Sequence, residues 1–243
     1  FNLRFNPLLL RLRALLTYGR AGVPIYARGV FATALRDMPD WKRRRATGGG
    51  ALLDLGSHHI DLMRFLFERE PRSVQASLES RHTEDDTALL ELEFDNGPRV
   101  HGFYALAAAE RDHVEVFGDR ARLSVSRFNS LDVDVMDNPG RGGALGRLAR
   151  RAGSLRHVPG ALRARRAPLR EPGYGVALDR FIEGVRTRRL PADAPDLADG
   201  FACLAVIDAA ERSARDGRPA SIIPTPQDHS TSALRERSWS SLR

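Results

Sequence analysis

Several residue types that mark large functional classes are scarce in this sequence. A single cysteine, Cys203 in the apolar run 201–206, excludes an internal disulfide framework and a cysteine-rich metal site. Cys203 reads as a small core residue. No apolar run of about eighteen residues occurs, and no charged-then-apolar leader with a cleavage site opens the chain. Neither a membrane span nor a secretory signal is indicated, and the cytoplasm is the expected compartment. Lysine is almost missing: of 38 lysines and arginines, Lys42 alone is a lysine. No Gly-x-Gly-x-x-Gly follows a strand pattern, so the turn that cradles a dinucleotide is not found. No internal repeat is present.

Arginine and apolar residues are plentiful. At 243 residues and 42% hydrophobic content the chain can bury a sizeable core, as one main domain. A net charge of +7 raises nucleic acid as a partner, but the distribution argues against it as the main function. Nine of the arginines lie in residues 141–170, interleaved with Gly, Ala, Leu and Pro, which reads as a solvated insertion.

The most informative stretch is Gly48-Gly49-Gly50-Ala51-Leu52-Leu53-Asp54-Leu55-Gly56-Ser57-His58-His59-Ile60-Asp61-Leu62. Three glycines let the backbone pass close to a neighbour or ligand, and the apolar period that follows predicts a helix over 52–67, buried on most sides. Positions four apart share a helix face, so Asp54 and His58 stack, with Asp61 three further along. Two roles fit a carboxylate beside an imidazole. Asp54 orients His58 for proton transfer near neutral pH, or the pair is a satisfied buried histidine and nothing more.

This string, preceded by Trp41, resembles the signature segment in the second domain of the glucose-fructose oxidoreductase, inositol dehydrogenase and rhizopine-catabolism (Gfo/Idh/MocA) family. Phe1-Asn2-Leu3-Arg4-Phe5-Asn6-Pro7 is similar to that family's last nucleotide-domain strand and the start of its crossover helix. The resemblance covers about four fifths of the chain. It implies an α+β fold in which a large open, mostly antiparallel β-sheet carries helices on one face, as in a dihydrodipicolinate-reductase-like C-terminal domain. It implies Asp54 and His58 as the catalytic pair, Trp41 and Tyr174 as substrate contacts, and Arg4, Gly49 and Gly50 as cofactor contacts. It further implies NAD or NADP as cofactor, a sugar, cyclitol or related polyol as substrate, and a homo-oligomer formed through the open sheet face. No metal is expected, because His58 and His59 are helical neighbours that point apart.

The family's glycine-rich turn and its Glu-Lys-Pro segment have no counterpart here, and the sequence reads as the C-terminal two thirds of such an enzyme. Residues 1–18 then form the remnant of the nucleotide domain, 19–223 the substrate domain, and 224–243 a disordered tail. The alternative is a non-catalytic ligand-sensing or assembly module of the same family. Helices are predicted at 7–18, 176–188 and 197–215, and strands at 23–33, 73–80, 87–94, 99–107, 113–117, 121–126, 131–136 and 217–223. The alternating Leu90, Leu92 and Phe94, or Val114 and Val116, are expected on the subunit-association face, and Asp61 is expected to hold the glycine loop.

Overall fold

Asn6 and Pro7 open the first helix for simple reasons. The Asn6 side chain accepts the Leu8 amide at 3.0 Å, and Pro7 sits at the first helical position, where its missing N–H costs nothing. A 3-10 turn at Asn2–Phe5, where a strand was expected, precedes this helix, α1 (Pro7–Thr17), in a computed structural model that describes residues 1–138 and 171–223. The insertion and the tail expected from the sequence fall outside those residues. A strand, β1 (Pro24–Ala32), leads to a loop, a π-helical turn at Leu52–Gly56 and helix α2 (Ser57–Phe67). Six strands follow: β2 (Pro71–Glu79), β3 (Thr87–Phe94), β4 (Arg99–Ala105), β5 (Arg111–Gly118), β6 (Ala121–Ser126) and β7 (Asp134–Asp137). Helices α3 (Gly173–Thr187) and α4 (Leu197–Asp216) and the short β8 (Ala220–Ser221) complete the described chain.

The strands form one sheet in the order β7-β6-β5-β1-β4-β3-β2-β8. All neighbours are antiparallel except β1 and β4, which run parallel at the centre, in register Gly29↔Gly102. The fold is therefore the expected open, mostly antiparallel sheet. One face is covered: Val74, Leu90, Leu92, Phe94, Val114, Val116 and Leu123 join Leu9, Leu12, Ile60, Leu62 and Val206 from the helices in a single core. This corrects the expected association face, because Leu90, Leu92, Phe94, Val114 and Val116 are all buried against the helices. Alternation along a strand separates two faces but does not say which one the helices claim. The opposite face presents Tyr26, Arg28, Leu89, Glu91 and His101 around a groove of about 440 Å³.

Asp61 also departs from expectation. It is fully buried and accepts from Arg4 at 2.6 and 2.9 Å, not from the glycine loop. Arg4 reaches on to Asp199 at 2.7 Å, and Asp199 closes a capping box with Asp196 at the start of α4. This cluster ties the amino-terminal turn to α2 and α4.

The central glycine pair has a packing reason. A Cβ at Gly29 would lie 2.6 Å from His59 Nδ1, and one at Gly102 would meet the Tyr104 hydroxyl at 2.4 Å. The bare backbone makes room for His59 from α2 and for Tyr104 from β4. Gly29→Ala is expected to cost about 1–3 kcal/mol in chemical denaturation, since neither the imidazole nor the strand can yield without repacking. A variant as stable as the parent would show that the ring moves freely.

Candidate active site

A cleft of about 680 Å³ opens where the parallel pair β1 and β4 ends, a size suited to a small ligand. Its lower wall is the π turn and the first turn of α2, which contribute Asp54, Leu55 and His58. Single π turns recur at functional sites because they break the regular ladder of a helix. Gly56 lets this one approach the sheet, since a Cβ there would come within 3.0 Å of Tyr104. The loop before it supplies Met38 and Lys42, the end of β1 supplies Phe31, and Tyr174 enters from α3.

Asp54, His58 and Tyr174 line one cleft, but Asp54 does not hydrogen-bond His58. Asp54 Oδ1 takes the Lys42 ammonium at 2.8 Å, and His58 Nδ1 is buried with no hydrogen-bond partner among the described residues. Burial above all pushes the His58 pKa down to about 4. A neutral imidazole competes poorly with an ammonium for a carboxylate.

The sign of this shift carries a prediction. The folded state holds the His58 proton more weakly than the unfolded chain, whose value is near 6.5. The associated stability is complete above pH 6.5 and is lost as pH falls to about 4. It amounts to about 3 kcal/mol. Denaturation of His58→Gln across that window should show a correspondingly flatter acid limb than the parent; parallel limbs would refute the assignment.

Trp41, a candidate substrate contact, is exposed on the short turn Asp40–Lys42 and does not line the cleft; its ring lies 5.5 Å from Lys42 Nζ. Arg4, Gly49 and Gly50, the candidate cofactor contacts, also lie off the cleft wall. The Arg4 guanidinium is committed to Asp61 and Asp199. Gly49 passes so near the Lys42 carbonyl that a Cβ would sit 2.3 Å from it, and Gly50 adopts φ +98°, which favours glycine. These two glycines shape the loop that delivers Lys42.

Sequence reasoning gave no role to Lys42, Arg127 or Glu171, all of which line the cleft. Lys42 had a signal in its rarity, because a chain that uses arginine everywhere else places its one lysine on Asp54. Among the described residues no group of three or more His, Cys, Asp or Glu could hold a metal ion.

Comparisons with known proteins agree with this architecture. Residues 9–124 match the family profile of the GFO/IDH/MocA C-terminal domain. Uncharacterized oxidoreductase ORF334 of Rhizobium meliloti is 29% identical over 207 residues, covering 82% of this chain and 56% of its own length. The WlbA dehydrogenase of Bordetella pertussis, solved with NADH and UDP-GlcNAcA, superposes with a TM-score of 0.68 at 19% identity, covering 91% of this chain and 63% of that one. The aldose-aldose oxidoreductase of Caulobacter crescentus, complexed with glycerol, gives 0.66 at 19% identity, with 91% and 62% covered. The chain thus spans just over half the length of the curated relative. Residues 9–124, just under half of the chain, thus resemble the GFO/IDH/MocA C-terminal domain, and the chain shares its fold with the solved dehydrogenases.

Proposed function

We propose that the chain is the substrate-binding and catalytic half of an NAD- or NADP-dependent oxidoreductase acting on a sugar, cyclitol or related polyol. In this reading residues 1–18 end the nucleotide domain and 19–223 form the substrate domain. The observation that carries it is the imidazole of His58, whose Nδ1 is buried and without a hydrogen-bond partner among the described residues, in the same ligand-sized cleft as the Lys42–Asp54 ion pair. The structural relatives bound to NADH and to glycerol support the cofactor and substrate classes.

The residues present fit a nicotinamide ring, because Phe31, Leu106 and Phe128 give the cleft an apolar wall within the same space as His58. These three would border the ring. When bound, the nicotinamide supplies the hydride acceptor or donor. His58 takes the hydroxyl proton on its imidazole, whose Nδ1 is unpaired among the described residues. Lys42 carries three N–H groups and spends one on Asp54, so it can offer another to a ligand oxygen while Asp54 keeps it in place. Tyr174, half-exposed at the mouth, is placed to contact the ligand.

Nicotinamide binding by calorimetry tests this reading, on the 243-residue chain and on a version extended upstream. Binding by the extended protein, followed by polyol turnover, supports it. If neither protein binds, the redox reading falls and a sensor or assembly module takes its place. A cytoplasmic location and a homo-oligomer belong to the same proposal. No helix among the described residues is long and apolar enough to cross a membrane. The open sheet face, with Leu89 about half-exposed beside Tyr26 and His101, is the surface proposed to pair. Sedimentation should show a dimer or larger species; a monomer at micromolar concentration would remove this part.

A further inference from the structure

The loop that brings Lys42 to the cleft is held little by packing. No residue from Thr33 to Gly48 is buried, only Met38 among them joins the edge of the core, and the regular structure amounts to two three-residue turns, Asp40–Lys42 and Arg45–Thr47. The Lys42–Asp54 pair cannot hold the loop by itself: both side chains are 31% exposed, and an ion pair so open to water is weak. Polar contacts made elsewhere along the loop must place the lysine. Thr47 Oγ1 donates to the Trp41 carbonyl at 2.7 Å and Gly49 N to the Arg44 carbonyl at 2.9 Å, which closes the loop on itself.

Glu84, in the connection between β2 and β3, fastens the loop to the sheet. Its Oε2 accepts the Arg45 amide at 2.7 Å, and its own amide donates to the Arg43 carbonyl at 3.1 Å. The next residue, Asp85, accepts the Ala51 amide at 2.7 Å, at the head of the π turn that carries Asp54. One short connection thus grips the chain just after Lys42 and just before Asp54. That connection is itself set by Asp86, a buried carboxylate that accepts the amides of Arg81, His82 and Thr83 at 3.3, 2.6 and 3.0 Å. The Arg45 guanidinium adds a second tie, to Glu211 on α4.

We propose that Glu84 is a positioning residue for Lys42: its carboxylate holds the main chain at Arg45 so that the ammonium three residues earlier stands on Asp54, 2.8 Å from Oδ1, in the cleft. A lysine ammonium rides on a flexible four-carbon stem, so once its main chain is released it exchanges the carboxylate for water. Glu84 is exposed and lies off the cleft wall, so its substitution disturbs neither the core nor the ligand directly. This rests on the proposed function for what Lys42 then does, which is to offer an N–H to a ligand oxygen.

The sequence holds one lysine and one cysteine, so Lys42 and Cys203 can each be followed alone. In the ligand-free 243-residue chain, limiting acetic anhydride should acetylate Lys42 about fivefold faster in Glu84→Ala than in the parent, the factor that losing one ordinary hydrogen bond allows. Peptide mass spectrometry separates Lys42 from the amino terminus. Glu84→Gln, whose amide oxygen can still accept from Arg45 N, should react like the parent. Cys203, 2% exposed, should stay closed to a disulfide reagent in all three. A parent-like Lys42 rate in Glu84→Ala overturns the proposal. So does a Glu84→Gln rate as high as that of Glu84→Ala, and so does a Cys203 that opens in step with Lys42, which would mean general loosening. In the extended protein, Glu84→Ala should raise the polyol KM with little change in kcat. A faster Lys42 with an unchanged KM keeps Glu84's role and removes Lys42 from the ligand. A parent that binds neither nicotinamide nor polyol removes the proposed function, and the acetylation rates still decide the role of Glu84.

Discussion

His58→Ala is expected to lower turnover by about 100- to 10,000-fold in the extended, nicotinamide-loaded protein while leaving it folded. The size follows from the proposed role, in which the imidazole, with Nδ1 unpaired among the described residues, moves the hydroxyl proton. That the protein stays folded follows from the same fact: an imidazole whose Nδ1 lacks a hydrogen-bond partner leaves none stranded there when it is removed. KM should change little, because the Lys42–Asp54 pair that offers contacts to a ligand remains. In the parent, kcat/KM should fall only on the acid side of the usual imidazole range, because burial opposes the charging of His58 in the free enzyme. A variant retaining more than about a tenth of parental turnover would show that another group moves the proton.

Arg4→Ala should act in the opposite way, through stability. Asp61 is wholly buried, and Arg4 covers both of its oxygens, leaving only Arg64 at 3.5 Å among the described side chains. Burial already pushes the Asp61 carboxyl above the usual range, so removing its main cation strands a charge in the core. The expected loss is about 3–5 kcal/mol. The melting temperature should drop by roughly 6–20 °C. Nicotinamide affinity, measured below the new transition, should be unchanged. A variant that melts like the parent but binds nicotinamide at least about tenfold more weakly would restore Arg4 as a cofactor contact.

Much of the fold was legible because its signals are local. Strand alternation and the cap residues Asn6, Pro7 and Asp196 mark their elements within a few positions, and the observed strands fall where the alternation placed them. The π turn at Leu52–Gly56 was not legible, since a π and an α turn share one apolar pattern over five residues. The covered face was misassigned because the helices that claim Leu90 and Val116 lie far away in sequence. The site divides likewise. Asp54 and His58 stand out through one contiguous string, but Arg127 pairs with Asp112 and Glu171, 15 and 44 residues away, with no periodicity linking them. Lys42 was visible only as a rarity, and its meaning came from where the loop carries it.

The parallel pairing of β1 with β4 has a kinetic consequence. β2, β3 and β4 are joined by short connections and can zip up as a local meander, whereas β1 must wait for the whole segment carrying α2 to close behind it. The Asp54–His58 turn lies inside that segment, and the cleft opens at the end of the pair that closes it. The geometry around Asp54 and His58 should therefore be among the last features to emerge during refolding, so that signals from His58 report completed folding, while early hydrogen-exchange protection reports only the meander.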